Sequence, residues 1–123
     1  MMQSIDKARL CLKTIRERKA VDPVLLHVEA LTSVADYFLI TSGSSTRQVQ
    51  AISRHLERTL RDAGLRAYGA EGEQEGQWVL MDYGDVIIHI FYQPLREFYD
   101  LEGLWIEAPQ VQADNAASED VAL

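Results

Sequence analysis

Two carboxylates and a histidine are spaced along one segment in a way that could serve catalysis or metal binding. Asp82 and Asp85 flank the dipeptide Tyr83-Gly84, and His89 follows four residues after the second acid. Carboxylates with an imidazole are a common donor set for acid–base catalysis and for metal ions. On a regular strand, however, Asp85 and His89 lie about 13 Å apart along the backbone. This separation disfavours a shared metal ion, and aspartates that cap a turn are the simpler interpretation.

A second candidate site is Gly43-Ser44-Ser45, which separates a predicted strand from a predicted helix. Backbone N–H groups at such a junction can bind a phosphate. A nucleotidyl-transferring enzyme would also need two carboxylates one residue apart shortly afterwards, to hold two divalent cations. Residues 45–52 contain no acid, and the lysine and glycine spacing of a P-loop are absent. A turn followed by a helix cap is therefore favoured, and a nucleotide-binding enzyme that uses this loop is the alternative.

Aromatic side chains in the same region indicate a different use. Tyr83 is predicted at a hairpin tip, where small polar residues are usual, and Trp78 begins a strand after the acidic loop 71–76. An aromatic residue in such a place is either packed in the core or presented to a partner. Aromatic anchors surrounded by acids are typical of surfaces that bind basic proteins.

The charge of the chain is unevenly distributed within a net charge of -7. Residues 1–66 contain 11 Lys or Arg and 7 Asp or Glu, whereas residues 67–123 contain Arg96 as the sole base and 12 acids. An acidic half repels phosphate backbones and attracts basic proteins, so sequence-specific nucleic acid binding through this half is not expected. A purely solubilising role of the acids is the alternative.

Composition predicts one soluble domain in the cytoplasm. The 123 residues are 47% hydrophobic and 25% charged, which is ordinary for a globular domain. No apolar run reaches the length of a membrane span, and the first residues lack a signal pattern. Cys11 is the only cysteine, so the chain has no intrachain disulfide and suits a reducing compartment.

Two amphipathic helices are predicted to support these residues. The first has Ser4 as its N-cap and runs into a basic stretch that ends at Lys19. The second begins at Ser45, which forms a capping box with Gln48, and stops at Gly64. A short helical turn is predicted between Pro94 and Trp105.

The apolar runs between these helices predict one sheet. Strands are expected at residues 24–28, 37–41 and 66–68, from Trp78 to the hairpin turn, and at 86–91. The last strand is apolar on both faces and is placed centrally. The resulting fold class is α/β, a single mixed β-sheet with flanking helices in one domain of residues 1–106. Residues 107–123 are predicted to form a disordered acidic tail.

Several motifs follow one another in order along most of the chain. They are Ala35-Asp-Tyr-Phe38, Gly43-x-Ser45-x-Arg47-x-Val49 with Ala51-Ile52, Glu71-Gly72, Trp78-Val-Leu-Met-Asp82-Tyr-Gly-Asp85-Val86, His89-x-Phe91 and Arg96-x-Phe-Tyr-x-Leu-Glu-x-Leu-Trp105. In these motifs the sequence resembles the ribosomal silencing factors, also called the RsfS or Iojap family. Pro23 departs from the resemblance, since it stands where the family usually has an apolar strand residue.

The resemblance implies a nucleotidyltransferase-like fold without the catalytic centre, no enzymatic activity and no cofactor. It implies binding to the large ribosomal subunit through the fourteenth protein of that subunit, at the face where the small subunit docks. The bound protein would block subunit joining sterically and lower translation under nutrient limitation. It also implies a homodimer.

The resemblance further implies which residues form the partner-binding site. They are Trp78, Leu80, Asp82, Tyr83 and Asp85, with Glu97, Tyr99, Asp100 and Glu102 as further candidates. The two-residue period of a strand places Trp78, Leu80 and Asp82 on one face. A binding module for some other basic protein is the third alternative.

Overall fold

Two amphipathic helices pack their apolar sides together against one face of a sheet. In the computed structural model, which describes residues 2–111, α1 spans Ser4–Arg16 and α2 spans Thr46–Asp62. The Ser45 hydroxyl oxygen accepts a hydrogen bond from the Gln48 N–H at 3.0 Å, and Gly64 follows the end of α2 with φ of 85°. The Ser45 cap and the Gly64 stop of α2 are therefore confirmed, whereas the Gln48 side chain accepts from the Ser44 N–H and not from the Ser45 N–H that a capping box requires.

The sheet contains six strands in the described residues. They are β1 (Val21–His27), β2 (Tyr37–Gly43), β3 (Gly69–Glu71), β4 (Trp78–Asp82), β5 (Val86–Tyr92) and β6 (Gln110–Val111). Their order is β3-β4-β5-β2-β1-β6, with β2 and β5 parallel and the other pairs antiparallel. The single mixed sheet, the hairpin of β4 and β5, and the central place of β5 are as predicted.

The two faces of the sheet are covered differently. On one face, α1 and α2 bury a large cluster that includes Leu39, Met81 and Ile88. On the other face, two short helices follow β5, namely α3 (Gln93–Tyr99) and α4 (Leu101–Leu104). The second cluster is smaller, and the side chains that α3 and α4 add to it stay partly exposed. The second face is therefore the one that can present apolar side chains.

The β1 strand begins three residues earlier than predicted, at Val21. Its register against β2 shifts between Val21 and Val24, and Asp22 has a positive φ of 41°. Pro23 has no N–H to donate to a ladder, and such a residue is tolerated at a bulge. The bulge explains how β1 pairs with β2 on one side although it contains a proline.

Two further predicted boundaries are wrong. Gln3, and not Ser4, is the N-cap of α1, because the Ser4 hydroxyl lies 2.6 Å from a carboxylate oxygen of Asp36. The short strand expected at 66–68 lies at Gly69–Glu71, at the edge of the sheet.

The segment expected to be disordered from residue 107 contains an ordered strand. Gln110 and Val111 pair with β1, the Pro109 carbonyl accepts a hydrogen bond from the His27 N–H at 2.9 Å, and Ala108 is buried. The rest of the predicted tail, residues 112–123, lies outside the described residues. Within residues 2–111, no helix combines the length and the apolar character that a membrane crossing requires.

Candidate partner-binding surface

The β4 strand alternates between the two faces of the sheet. Val79 and Met81 are completely buried under α1 and α2, whereas Trp78, Leu80 and Asp82 point to the opposite face and are partly exposed. The prediction that these last three residues share one strand face is confirmed. Their face of the sheet is the one covered by α3 and α4.

Trp78 packs against other aromatic rings and also keeps part of its side chain exposed to solvent. Its indole ring lies 4.8 Å from the Phe91 ring and 4.9 Å from the Tyr99 ring, measured between centroids. The indole N–H donates to Nδ1 of His89 at 3.1 Å. Trp78 nevertheless remains partly exposed, so the core and the partner interpretations each describe a part of this side chain.

His89 is a buried member of the same aromatic cluster, and it is 7% exposed. Burial lowers the pKa of His89 from 6.5 to about 4, because desolvation disfavours the charged ring. Its ring lies on the face of α3 and α4, 5.7 Å from the Phe38 ring, whereas the Asp85 carboxylate contacts α1. The fold does not bring His89 and Asp85 together. No group of three or more metal-binding side chains occurs among the described residues.

The expectation that Tyr83 is presented at the hairpin tip is wrong. The side chain folds back under α1 and α2, where the residue is 2% exposed, and its hydroxyl has no hydrogen-bond partner. Burial raises the pKa of Tyr83 to about 12. The strand alternation explains this direction, since Tyr83 follows Val79 and Met81 at intervals of two residues. Tyr83 is a core residue and is not available for direct contact with a partner.

The two aspartates of the hairpin have structural partners. Asp82 accepts a hydrogen bond from the Gly84 N–H at 2.7 Å, so it caps the turn as the simpler interpretation holds. Asp85 instead reaches α1, where it lies 2.7 Å from the Lys7 ammonium and 2.7 Å from the Ser4 hydroxyl. Burial alone would raise the pKa of Asp85, but the hydrogen bonds from Lys7 and Ser4 and the Lys7 charge outweigh it and lower the pKa.

Asp85 therefore differs from the other acids proposed for the site. Its carboxylate belongs to the α1 side of the sheet and is neutralised there by Lys7. An acid already paired in this way adds little to an electrostatic rim around Trp78. The expectation that Asp85 belongs to an acidic rim around Trp78 and Tyr83 is wrong for this reason.

The acids of α3 and α4 are divided between structural and exposed roles. Glu102 pairs with the buried guanidinium of Arg96 at 2.9 Å. Asp100 caps α4 by accepting from the Gly103 N–H, and Glu97 is exposed. Tyr99 is 47% exposed, and its ring contacts Trp78 at an interplanar angle of 43°. Of this group, Glu97, Tyr99 and Asp100 remain accessible.

Three exposed apolar residues on the same side were not predicted as site residues. Phe98, Leu104 and Ile106 are 78%, 75% and 79% exposed. The sequence contains a signal for them, because the segment from residue 95 to 106 has more large apolar side chains than two short helices can bury. Contiguous exposed apolar residues of this kind mark interaction surfaces.

Ring contacts connect Phe98 to Trp78, and Leu104 and Ile106 adjoin the same apolar cluster through Trp105. The Phe98 ring contacts the Tyr99 ring at 5.1 Å, and the Tyr99 ring in turn contacts the Trp78 ring. Leu104 and Ile106 flank Trp105, whose ring lies 5.0 Å from Phe38 beside His89. We call this the Trp78 surface, formed by Trp78, Leu80, Phe98, Tyr99, Leu104 and Ile106.

In the loop Gly43-Ser44-Ser45, the hydrogen-bond donors of Ser44 are already bonded to another residue of the chain. The Ser44 N–H and hydroxyl both donate to the Gln48 side-chain oxygen, at 2.6 and 2.8 Å. A Cβ atom at Gly43 would approach Val49 to 3.0 Å, so glycine permits close packing of β2 against α2. The N–H that a phosphate would need is already bonded, which favours the turn and cap over an anion site.

Comparisons with known proteins agree with the motifs. A sequence profile described as "Ribosomal silencing factor during starvation" (RsfS) matches residues 1–122. A ribosomal silencing factor RsfS of Halalkalibacterium halodurans is 35% identical over 117 residues, which cover 95% of this chain and 100% of that protein. The RsfS of Bacillus subtilis is 42% identical over 98 residues, which cover 80% and 83% of the two chains.

A solved structure and a more distant relative extend the comparison. A crystal structure of a Chromobacterium violaceum protein superposes with a TM-score of 0.83 at 34% identity, over 85% of this chain and 87% of that one. A mouse protein named "Mitochondrial assembly of ribosomal large subunit protein 1" is 30% identical over 78% of this chain and 43% of its own length. With a family profile that covers nearly its whole length, the chain belongs to the ribosomal silencing factor family.

Proposed function

We propose that this protein silences translation by binding the large ribosomal subunit and sterically blocking its association with the small subunit. The family membership supports the silencing role, and the name of the mouse relative connects the family to the large subunit. The partner we propose is the fourteenth protein of that subunit, as the resemblance implies. The physiological setting is nutrient limitation, and the site of action is the cytoplasm.

The Trp78 surface is the observation that carries this proposal. It combines a partly buried aromatic anchor with exposed apolar side chains at Phe98 and Leu104. Unpaired acids lie beside it, since Glu97 and Asp100 are exposed and are not in ion pairs within the described residues. An apolar centre with an acidic rim fits a basic protein, because the rim steers the partner and the anchor holds it.

The proposed mechanism requires occupancy and no chemistry. A protein that covers the docking face of a large subunit prevents joining for as long as it stays bound. The alternative, an enzyme that uses residues 43–45, predicts that ATP or GTP with magnesium raises the melting temperature. We expect no such rise, because the Ser44 N–H is already bonded to Gln48. Formation of a homodimer is part of the proposal and is tested by the mass of the protein in solution.

Co-sedimentation with purified large subunits tests the proposed site. We expect Trp78→Ala to weaken binding by about thirtyfold or more, since a desolvated aromatic anchor contributes about 2 kcal/mol or more. Trp78→Ala also removes core contacts, so Phe98→Ala and Leu104→Ala are needed as variants of largely exposed side chains. Both should weaken binding and leave the melting temperature unchanged.

Val34→Ala is the matched control, because Val34 is 63% exposed in the loop between β1 and β2 and is not a residue of the Trp78 surface. The same variants are then assayed for inhibition of subunit joining by light scattering. If folded Phe98→Ala and Leu104→Ala proteins bind and inhibit like the Val34→Ala control, the Trp78 surface is not the partner site.

A further inference from the structure

The exposed side of α2 carries four arginines in one row. Arg47, Arg54, Arg58 and Arg61 are all exposed and are separated by seven, four and three residues. At 3.6 residues per turn these positions fall within an arc of about 60° and extend over about 21 Å of the helix. We call this row the arginine stripe.

Among the described residues, only one arginine of the stripe has an acidic side chain within ion-pairing distance. Arg61 approaches Glu57 at 3.9 Å, one turn earlier in α2. Arg47, Arg54 and Arg58 are in no ion pair with any described residue. Glu73 lines a groove beside Arg54, where Gln50 donates to the Glu73 backbone carbonyl. Three guanidinium groups are therefore left facing solvent.

The end of α1 extends the positive surface beside the first arginine. The Gln48 side-chain amide donates to the backbone carbonyls of Arg18 and Lys19, at 3.4 and 3.0 Å. These two exposed bases thus lie next to the turn of α2 that holds Arg47. The Trp78 surface occupies the face of the sheet opposite the one covered by α1 and α2.

The chemistry of the stripe fits phosphate better than protein. None of the exposed large apolar residues of the described chain lies on α1 or α2, so this side lacks the anchors of a protein interface. Arginine pairs with phosphate oxygens through two parallel hydrogen bonds, and its planar group is weakly hydrated. A row of arginines without apolar neighbours is typical of contact with a nucleic acid backbone.

We propose that the arginine stripe binds the sugar-phosphate backbone of ribosomal RNA on the large subunit, independently of base sequence. This inference rests on the proposed function, which brings the chain to an RNA-rich particle. The Trp78 surface holds the protein partner on one side of the sheet, and the stripe contacts RNA on the other. Both contacts act in one bound molecule, so affinity for the whole subunit exceeds affinity for the isolated subunit protein.

The test compares two triple variants in binding to purified large subunits at several salt concentrations. Arg47→Gln/Arg54→Gln/Arg58→Gln removes three charges, whereas Arg47→Lys/Arg54→Lys/Arg58→Lys keeps them at the same positions. Log affinity falls as log salt rises, and each lost phosphate contact makes this fall less steep by about 0.7 to 0.9 units of slope. We expect the glutamine variant to lose about two to three units of slope and the lysine variant to keep the parental slope.

A second readout separates this proposal from the proposed function. Binding to the isolated basic subunit protein should depend on the Trp78 surface and should be unchanged by the glutamine substitutions. If Phe98→Ala leaves subunit binding intact while the glutamine variant weakens it, the Trp78 surface is not the partner site and the proposal for the arginine stripe is supported. If the parent does not bind large subunits, both proposals fail.

Two outcomes would contradict the proposal for the arginine stripe and leave the proposed function unaffected. One is a glutamine variant, folded by its melting temperature, whose salt dependence on large subunits equals that of the parent. The other is an unchanged slope together with a shift from dimer to monomer in sedimentation, which would assign the stripe to an interface between two copies of this chain.

Discussion

Trp78 donates its indole N–H to Nδ1 of His89 across 3.1 Å, which connects the Trp78 surface to the central strand of the sheet. Because Nδ1 accepts this bond, the neutral ring carries its proton on Nε2. Burial holds the pKa of His89 at about 4, so the ring stays neutral at pH 7 and remains an acceptor. The orientation of the proposed anchor thus depends on a histidine that stays uncharged.

This relationship predicts a loss of stability in mild acid. Between about pH 6.5 and pH 4, His89 binds a proton in the unfolded chain and not in the folded one, so the free energy of unfolding decreases as pH falls through this window. The depressed pKa corresponds to about 3 kcal/mol over the whole window. Urea unfolding of the parent and of His89→Asn, which keeps an acceptor at the δ position, should show the greater pH dependence in the parent. Equal pH dependence of the two proteins would contradict the assignment.

Tyr83 gives a prediction about the core. Tyr83→Phe removes a buried hydroxyl that has no partner, so we expect stability to stay equal or to rise by about 1 kcal/mol. Tyr83→Ala leaves a cavity between α2 and the sheet and should lose about 3 to 5 kcal/mol. Denaturant unfolding measures both changes. Large-subunit binding by folded Tyr83→Phe should equal that of the parent, and a clear loss of affinity would return Tyr83 to the partner site.

The Lys7–Asp85 pair gives a prediction that separates stability from binding. Asp85→Asn removes the charge that balances the partly buried Lys7 ammonium, and should cost about 1 to 2 kcal/mol. Lys7→Met/Asp85→Asn should recover part of this loss, because no uncompensated charge is left. Thermal unfolding of the parent, of the single variants Asp85→Asn and Lys7→Met, and of the double variant measures the cycle. Affinity for the large subunit should stay the same in all three variants, and a loss specific to Asp85→Asn would place this carboxylate in the interface.

The elements that the sequence predicted well are those with strong local signals. The capping serine, the helical spacing and the terminal glycine of α2 all act within a few residues, and β5 is apolar on both faces. The shared face of Trp78, Leu80 and Asp82 follows from the two-residue period alone. Such features are independent of the rest of the chain, and the structure agrees with them.

The wrong predictions concern residues whose position is determined by contacts with residues distant in sequence. Ser4 is a capping residue by type, but its hydroxyl is used by Asp36, which is 32 residues away. Tyr83 lies in a turn, yet the pleat directs its ring into the core. Gln110 and Val111 lack a local strand signal and are ordered by pairing with β1. Each outcome depends on a partner that is distant in sequence, which periodicity does not report.

Arg96 gives the last prediction, because its guanidinium ties the helices of the Trp78 surface to the bulge in β1. It donates to the backbone carbonyls of Val21 and Asp22, at 3.0 and 2.7 Å, and to the Glu102 carboxylate at 2.9 Å. Arg96→Lys cannot reach all of these acceptors with one ammonium group, and we expect a loss of about 3 kcal/mol. The helix α4 should then loosen, so amide hydrogens of residues 101–106 should exchange faster and large-subunit binding should weaken.

Glu102→Gln is the matched control for this change. It keeps an oxygen acceptor for Arg96 and leaves the contacts to β1 intact, so we expect a smaller loss of stability and little change in exchange. Hydrogen exchange measured on both variants then reports whether α4 depends on Arg96 for its position. If Arg96→Lys is as stable as the parent and protects residues 101–106 equally, packing of Leu101 and Trp105 on the sheet is sufficient to hold this side of the Trp78 surface.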